Sequence, residues 1–432
     1  MDTGTNSPIT PAISSTAPTN KTNRRTVTFE LLFHSTTTSA DIPALNDAKL
    51  TNRIHADHGE GWSLNRRDGR CHTTAPWLTC GHENGGAGYN VESRWWKGRM
   101  TATGSQVERS DLEEARRVAD AVAGAFSAKV VGQPQLRETM LIALLAGGHL
   151  LIESVPGLAK TTAARVVAES IKGGFRRIQC TPDLLPSDII GTQIYDSAAN
   201  SFVTQLGPVH ANVVLLDEIN RSSAKTQSAM LEAMEERQTT IAGVEYPIPE
   251  PFLVIATQNP VDQEGTYPLS EAQTDRFMLK EVVNYPSMED EVEVISRMDA
   301  GLYDKDHHTA PVVGVGDVLR VQQVVRTVHM DRALIQYASQ LVAVTRGADQ
   351  HLPANIARLI EYGASPRATI AFCRTARALA VLRGRSHVLP DDLASLAHRV
   401  LRHRLILGFE AANARVTPDV VVDAVLQAVR VP

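Results

Sequence analysis

The chain has 432 residues, 43% of them apolar, and a formal net charge of -5. That length exceeds one typical core and points to two or three domains, with enough apolar side chains to fill them. The acidic balance, with no long basic run, argues against a dedicated nucleic-acid binder, whose affinity rests on neutralising phosphates.

Residues 1–40 hold 16 Ser or Thr and little periodic apolar pattern, and all four tryptophans (Trp62, Trp77, Trp95, Trp96) precede residue 100. Residues 1–100 read as a mostly disordered or poorly packed extension. An alternative is that Met100 is the true start and the upstream text a misplaced gene start. The Ser/Thr/Arg-rich opening also superficially resembles an organelle transit peptide, while the apolar segment of a secretory signal is missing. Cys71-His72 and Cys80-x-His82, with His55 and His58 nearby, could ligate zinc, but the spacing fits none of the common closed-site patterns. The longest apolar stretch, Met140–Ile152, is broken by Gly147, Gly148 and His149. It is shorter than the roughly 20 residues a bilayer needs, so no membrane span is expected. With four cysteines, of which only Cys71 and Cys80 are close, a disulfide framework is not expected and a reducing cytoplasm fits. Cys180 and Cys373 read as small packed hydrophobes.

From Met100 the pattern changes. Residues 110–128 and 133–146 read as helices, followed by a short apolar strand, His149–Glu153. Further strands are expected at Arg177–Cys180, Val213–Leu216, Phe252–Ala256 and Phe277–Val283, alternating with helices at 161–172, 222–236 and 289–299. Buried apolar strands alternating with helices indicate an α/β layer with a parallel sheet. Past residue 286 the text turns helical, at 331–346, 354–362, 366–383 and 390–405. In the last, Leu393, Leu396, Ala397, Val400 and Leu401 form one apolar face. Arg399, Arg402, His403 and Arg404 read as a solvated face of that helix, with contact to an acidic partner as the alternative. The expected division is 1–100, an α/β core over 101–286, and a helical domain over 287–432.

After the first strand comes Ser154-Val155-Pro156-Gly157-Leu158-Ala159-Lys160-Thr161-Thr162, then a helix. This is the strand–loop–helix context of a P-loop. Bare backbone N–H groups at a helix N-terminus can hold phosphate oxygens. Lys160 would neutralise β/γ-phosphate charge and Thr161 would ligate Mg²⁺. Both outer glycines of the strict GxxxxGK[ST] pattern are replaced, by Ser154 and Ala159, both small. The apolar strand Val213–Leu216 ends in Asp217-Glu218, 57 residues beyond Lys160. Ligands sit at the carboxyl ends of strands in open parallel sheets. Adjacent strand residues point to opposite sides, so the two acids can do different work. Asp217 would hold Mg²⁺ through water, and Glu218 would polarise the attacking water.

Longer motifs then follow in order. They are Thr181-Pro-Asp-Leu-Leu-Pro-Ser-Asp188, Asp217-Glu-Ile-Asn-Arg221, Lys225-Thr-Gln227, Leu231-Glu-Ala-Met-Glu-Glu-Arg-Gln238, Ala256-Thr-Gln-Asn-Pro260, Leu269-Ser-Glu-Ala-Gln-Thr-Asp-Arg-Phe277 and Gly363-Ala-Ser-Pro-Arg-Ala368. Together with the phosphate loop, this series resembles MoxR AAA+ ATPases over about residues 107–430. Ala159 agrees with the MoxR form of the loop. Ser154 departs from the usual glycine, and Cys180 stands where an aromatic is common.

The resemblance implies a P-loop AAA+ α/β core with a parallel sheet, followed by an all-helical lid. It implies ATP and Mg²⁺ as ligands and assembly into a ring, expected to be a hexamer. Asn259 matches sensor 1, orienting the attacking water. Arg276 matches the arginine finger, reaching the neighbouring subunit's γ-phosphate. Arg367, after the helix-start pair Ser365-Pro366, matches sensor 2. Val131 and Gly132 lie where AAA+ proteins contact adenine, and Arg221 is a candidate for contact across the subunit interface or a surface salt bridge. The implied work is chaperone-like remodelling, maturation or metal-cofactor loading of a client, with a von Willebrand factor A domain protein as partner. A magnesium-chelatase-like motor subunit and a non-hydrolysing nucleotide-gated scaffold are the alternatives.

Overall fold

In the computed structural model the described residues are 108–155, 157–260, 266–303 and 311–432. To these is added the backbone of Ser63–Leu64 and Cys71–His72, which pair as a short antiparallel ladder. The rest of residues 1–100, the side chains of the zinc candidates Cys71, His72, Cys80 and His82, and Pro156 of the phosphate loop lie outside the described residues. The architecture below is that of the unit from Gly104 to Pro432.

Helix α1 (Arg109–Lys129) turns Ala115, Val118, Ala119, Val122 and Phe126 inward at helical spacing. Helix α2 (Pro134–Ala146) opens on a proline, which needs no N–H partner there, and stops at Gly147 in the left-handed region. Then come β1 (Leu150–Glu153), α3 (Lys160–Ser170) and β2 (Phe175–Gln179), followed by a hairpin of β3 (Gly191–Asp196) and β4 (Ser201–Leu206). Next are β5 (Val213–Asp217), α4 (Ala224–Glu236), a second hairpin of β6 (Gln238–Ile241) and β7 (Val244–Pro247), β8 (Leu253–Gln258) and β9 (Leu279–Val282). The five long-range strands form one parallel sheet in the order β9-β1-β8-β5-β2.

The sheet is buried on both faces, and its residues alternate between them as strand geometry requires. Leu150, Ile152, Val213, Leu215, Leu253, Ile255 and Leu279 enter one apolar cluster, shared with α1, α2 and α3. Leu151, Val214, Leu216, Val254 and Ala256 enter the other, shared with α4. The central strands β1, β5 and β8 therefore read as continuous apolar runs, whereas the edge strands β2 and β9 carry charged residues.

Beyond the sheet lie α5 (Met288–Asp299), α6 (Val315–Thr327), α7 (Arg332–Arg346), β10 (Ile360–Tyr362), α8 (Pro366–Leu382), α9 (Pro390–Leu401), β11 (Ile406–Leu407) and α10 (Pro418–Ala428). Helices α6 to α10 contribute to the same apolar cluster as α1 and α2. The helical region is thus continuous with the core of the α/β layer. Among the described residues no helix is long and apolar enough to cross a membrane.

Three expectations are corrected. The helix expected over 354–362 is helical only at Ala354–Ala357, because Ile360 and Tyr362 pair with β11. Gly363 then passes so close to α7 that a Cβ would meet the Thr345 carbonyl oxygen at 2.4 Å. The helix expected to run to residue 405 ends at Leu401. The basic group at its end is not a solvated face: Arg399 pairs with Glu138 at 2.7 Å and Glu281 at 3.2 Å, and Arg402 with Asp419 at 3.0 Å. Arg404 is buried and donates to Asp275 at 2.7 Å and to the Phe277 carbonyl at 2.6 Å, while His403 also meets that carbonyl.

Candidate functional site

The loop from β1 to α3 brings Lys160 to the first position of its helix. Lys160 is buried, and its ammonium donates to the Ser154 carbonyl at 3.0 Å, folding the loop back on itself. Gly157 lies at φ +86° and Ala159 at φ +55°. Glycine occupies such backbone without penalty, whereas a Cβ there is strained. The alanine that departs from the strict loop pattern thus holds the left-handed turn a glycine would take. Gly157, Ala159 and Thr162 are exposed at the α3 N-terminus, where N–H groups have no partner within the helix. Leu158 turns inward and anchors the loop, and Val155 is half-buried against the same cluster. Val131 and Gly132 follow α1, half-buried, with Asp290 of α5 packed against Gly132.

Asp217 ends β5 and is buried. Its Oδ1 accepts from the Thr257 hydroxyl at 2.9 Å. Its Oδ2 accepts from the Thr161 hydroxyl at 3.3 Å and from Arg177 at 2.5 and 3.1 Å. The same Thr257 hydroxyl accepts from the Glu218 backbone N–H at 2.9 Å, so one side chain holds both acids. Glu218 adopts φ +58°, which turns the chain sharply at the strand end. Its carboxylate meets Arg221 at 3.0 Å and Gln179 at 3.4 Å. Asn259, one residue past β8, is buried at the same edge of the sheet. Thr161 and Asp217 offer a hydroxyl and a carboxylate side by side, the hard oxygen donors magnesium takes. Cys180, next to this site, is inert: burial pushes its thiol up to about 12.

Arg276 and Arg367 are not brought to that loop. Met278 donates its N–H to the His149 carbonyl at 2.9 Å, so Arg276 lies level with the amino end of β1. The phosphate loop leaves the other end, about 13 Å away at roughly 3.3 Å per residue. Arg276 and Arg367 instead share Glu235 of α4: Arg276 at 3.0 Å on Oε2, and Arg367 on Oε1. Asp275, beside Arg276, accepts from Ser365 at 2.7 Å as well as from Arg404. Residues that sequence reasoning missed are therefore Arg177, Thr257, Glu235, Asp275 and Arg404. The first two are 40 residues from Asp217, and no local pattern announces a pairing at that distance.

The family described as ATPase family associated with various cellular activities matches residues 149–279, and an AAA lid domain matches residues 352–425. The Chaperone MoxR1 of Mycobacterium tuberculosis is 46% identical over 303 residues, 70% of this chain and 79% of that one. The Protein MoxR of Methylorubrum extorquens is 30% identical over 323 residues, 70% of this chain and 92% of that one. A solved structure from Cytophaga hutchinsonii, assigned as an ATPase, superposes with a TM-score of 0.70 at 41% identity, covering 75% of this chain and 97% of that one. The fold is that of an AAA+ nucleotide-binding domain with its lid, and the chain belongs to the MoxR family of AAA+ ATPases.

Two outcomes follow from the site's geometry. Thr257→Val removes the hydroxyl that serves Asp217 and the Glu218 N–H. Urea unfolding should show a loss of about 1–3 kcal/mol, which Thr257→Ser restores. His149, at the amino end of β1, accepts from the Val254 N–H at 3.0 Å and donates to the Met234 carbonyl at 3.3 Å. Burial, with Arg237 adding to it, lowers its pKa to about 3. The folded state then keeps His149 neutral where the unfolded chain takes up a proton. Stability is full above about pH 6.5 and falls by up to about 1.4 kcal/mol per pH unit below it. Urea midpoints measured from pH 7.5 to 5.5 should show at least that slope, and His149→Gln should reduce it, buried His403, also pushed down, keeping a share.

Proposed function

We propose that this chain hydrolyses ATP at the Lys160 loop, in a ring of its own copies, and couples hydrolysis to the remodelling of a protein partner. The observation that carries the reading is the convergence of Lys160, Thr161, Asp217, Glu218 and Asn259 on one edge of the sheet, while Arg276 stands at the other.

In this reading the N–H groups of residues 157–162 hold phosphate oxygens, Lys160 neutralises their charge, and Val131 and Gly132 face the base. Thr161 and Asp217 hold magnesium, which supplies charge neutralisation on the phosphates when bound. Glu218 takes up the proton of the attacking water, held in place by its backbone bond to Thr257, and Asn259 orients that water without adding charge. The charge developing on the phosphoryl group needs a further cation, and a chain's own Arg276 is on the wrong edge to provide it. A neighbour's Arg276 meets that need, an interaction worth roughly 10³ to 10⁵ in rate in related enzymes. Arg367, tied to the same Glu235, is suited to read the neighbour's nucleotide alongside it.

Remodelling of a client is supported by the Mycobacterium tuberculosis relative described as a chaperone. A von Willebrand factor A domain partner, six subunits and metal-cofactor loading as the particular task rest on the family resemblance.

The test is a mixing experiment. Lys160→Ala and Arg276→Ala are each expected to be inactive in steady-state ATPase assays. Mixed in equal amounts, they should regain part of the wild-type rate, because some sites pair an intact loop with an intact neighbouring arginine. No recovery in mixtures that demonstrably co-assemble would sink the shared-site reading. Glu218→Gln should bind ATP and fail to hydrolyse it.

A further inference from the structure

A cavity of about 370 Å³ opens at the amino edge of the sheet, on the side away from the phosphate loop; of its lining only Arg276 enters the proposed hydrolysis, and there on a neighbour's nucleotide. Four arginines line it: Arg237 after α4, Arg276, Arg326 near the end of α6, and Arg374 on α8. Two carboxylates, Glu235 and Glu250, also line it. Glu235 is already taken by Arg276 and Arg367. Among the described residues, Arg237, Arg326 and Arg374 have no carboxylate within 4.0 Å, Glu250 acting on Arg237 only at longer range.

Part of this charge has a structural use. Arg237 donates to the Phe252 and Gly147 carbonyls at 3.0 and 2.9 Å, and Arg374 to the Ala146 and Gly147 carbonyls at 2.9 and 3.3 Å. The Ala146 and Gly147 carbonyls close the C-terminus of α2, whose dipole is equivalent to roughly half a negative charge. Half a charge and the one carboxylate left, Glu250, do not balance three guanidiniums. Arg326 is exposed and makes no hydrogen bond or ion pair among the described residues. The recess therefore keeps an excess of positive charge. Arg237 and Arg374 are both pushed down by burial, and Arg326 pushes each of them the same way. Folding gathers like charges that cost free energy until an anion arrives.

The shape of the donors narrows the anion. A guanidinium presents a planar fork that matches a pair of phosphate oxygens. A single carboxylate would satisfy one fork, whereas a short chain of phosphates offers an oxygen pair to each, in a space of ordinary ligand-pocket size. We infer that this cavity is a binding site for a small oligophosphate anion, separate from the phosphate loop. The inference does not depend on the chain being an active ATPase.

The experiment uses the full chain carrying Lys160→Ala, which silences the phosphate loop, titrated with inorganic tripolyphosphate by calorimetry at low salt. Binding near one per chain is expected. Adding Arg326→Gln should weaken it by roughly tenfold or more, the loss of a charge-assisted contact. The melting temperature should be unchanged, since Arg326 is exposed. Arg374→Lys, which keeps the charge but loses the fork, should also bind more weakly. No binding to Lys160→Ala, or equal affinity with and without Arg326→Gln, would overturn the inference. So would binding that appears only at concentrations where copies assemble, since the phosphates would then sit between chains.

Discussion

The candidate site depends on one carboxylate. Asp217 accepts from Thr257 on β8, Thr161 on α3 and Arg177 on β2, so three elements converge on a single strand end. The sheet order is the cause: β5 lies between β8 and β2. The parallel direction of all five strands sends their carboxyl ends to the same edge. A buried carboxylate left without donors would cost several kcal/mol, and here every donor is also part of the site. The burial that makes Asp217 expensive is thus the same burial that fixes Thr161 and Glu218 around it.

The second constraint is the sheet's length. Because β9 runs parallel to β1 and starts level with it, the segment before β9 is held at the amino edge, a full strand away from the phosphate loop. No side-chain rotation closes that gap. Asp275 strengthens the arrangement by binding Ser365 and Arg404, which lock the segment bearing Arg276 to the helical region. Glu235 does the same for Arg276 and Arg367. On the proposed shared-site reading each chain carries two half-sites facing different ways, which is a physical reason for copies to act together.

Much of this was legible in the sequence because both faces of the sheet are covered. Val213–Leu216 and Leu253–Ala256 are unbroken apolar runs, and such runs are unambiguous between Gly, Pro and charged boundaries. Ser365-Pro366 announced α8, and Ser365 does accept from the Arg367 N–H at 3.1 Å. The two hairpins, β3–β4 and β6–β7, were not anticipated. Apart from β6 their strands are largely exposed, so no apolar alternation marks them. Helix α6 was missed, and residues 354–362 were read as helix because local propensity cannot see the β10–β11 pairing. The basic stretch from Arg399 to Arg404 was misread for a related reason. Its partners, Glu138, Glu281, Asp419 and Asp275, are up to 261 residues away. A charge cluster looks solvated until the fold brings its counter-ions in.

The same buried contacts bear on how a nucleotide signal would travel. Helices α6 and α8 pack with α1 and α2 in one apolar cluster, and Arg404 ties the chain after α9 to the Phe277 and Met278 carbonyls ahead of β9. Swinging the helical region against the sheet would open that cluster and strand Arg404, with a cost of several kcal/mol for the buried charge alone. The ion pairs of Glu235 with Arg276 and Arg367 are far cheaper to rearrange, being half-exposed and screened by water. If copies assemble as proposed, the geometry favours motion of the chain as one body against its neighbours, with Glu235 as the point where Arg276 and Arg367 would trade partners.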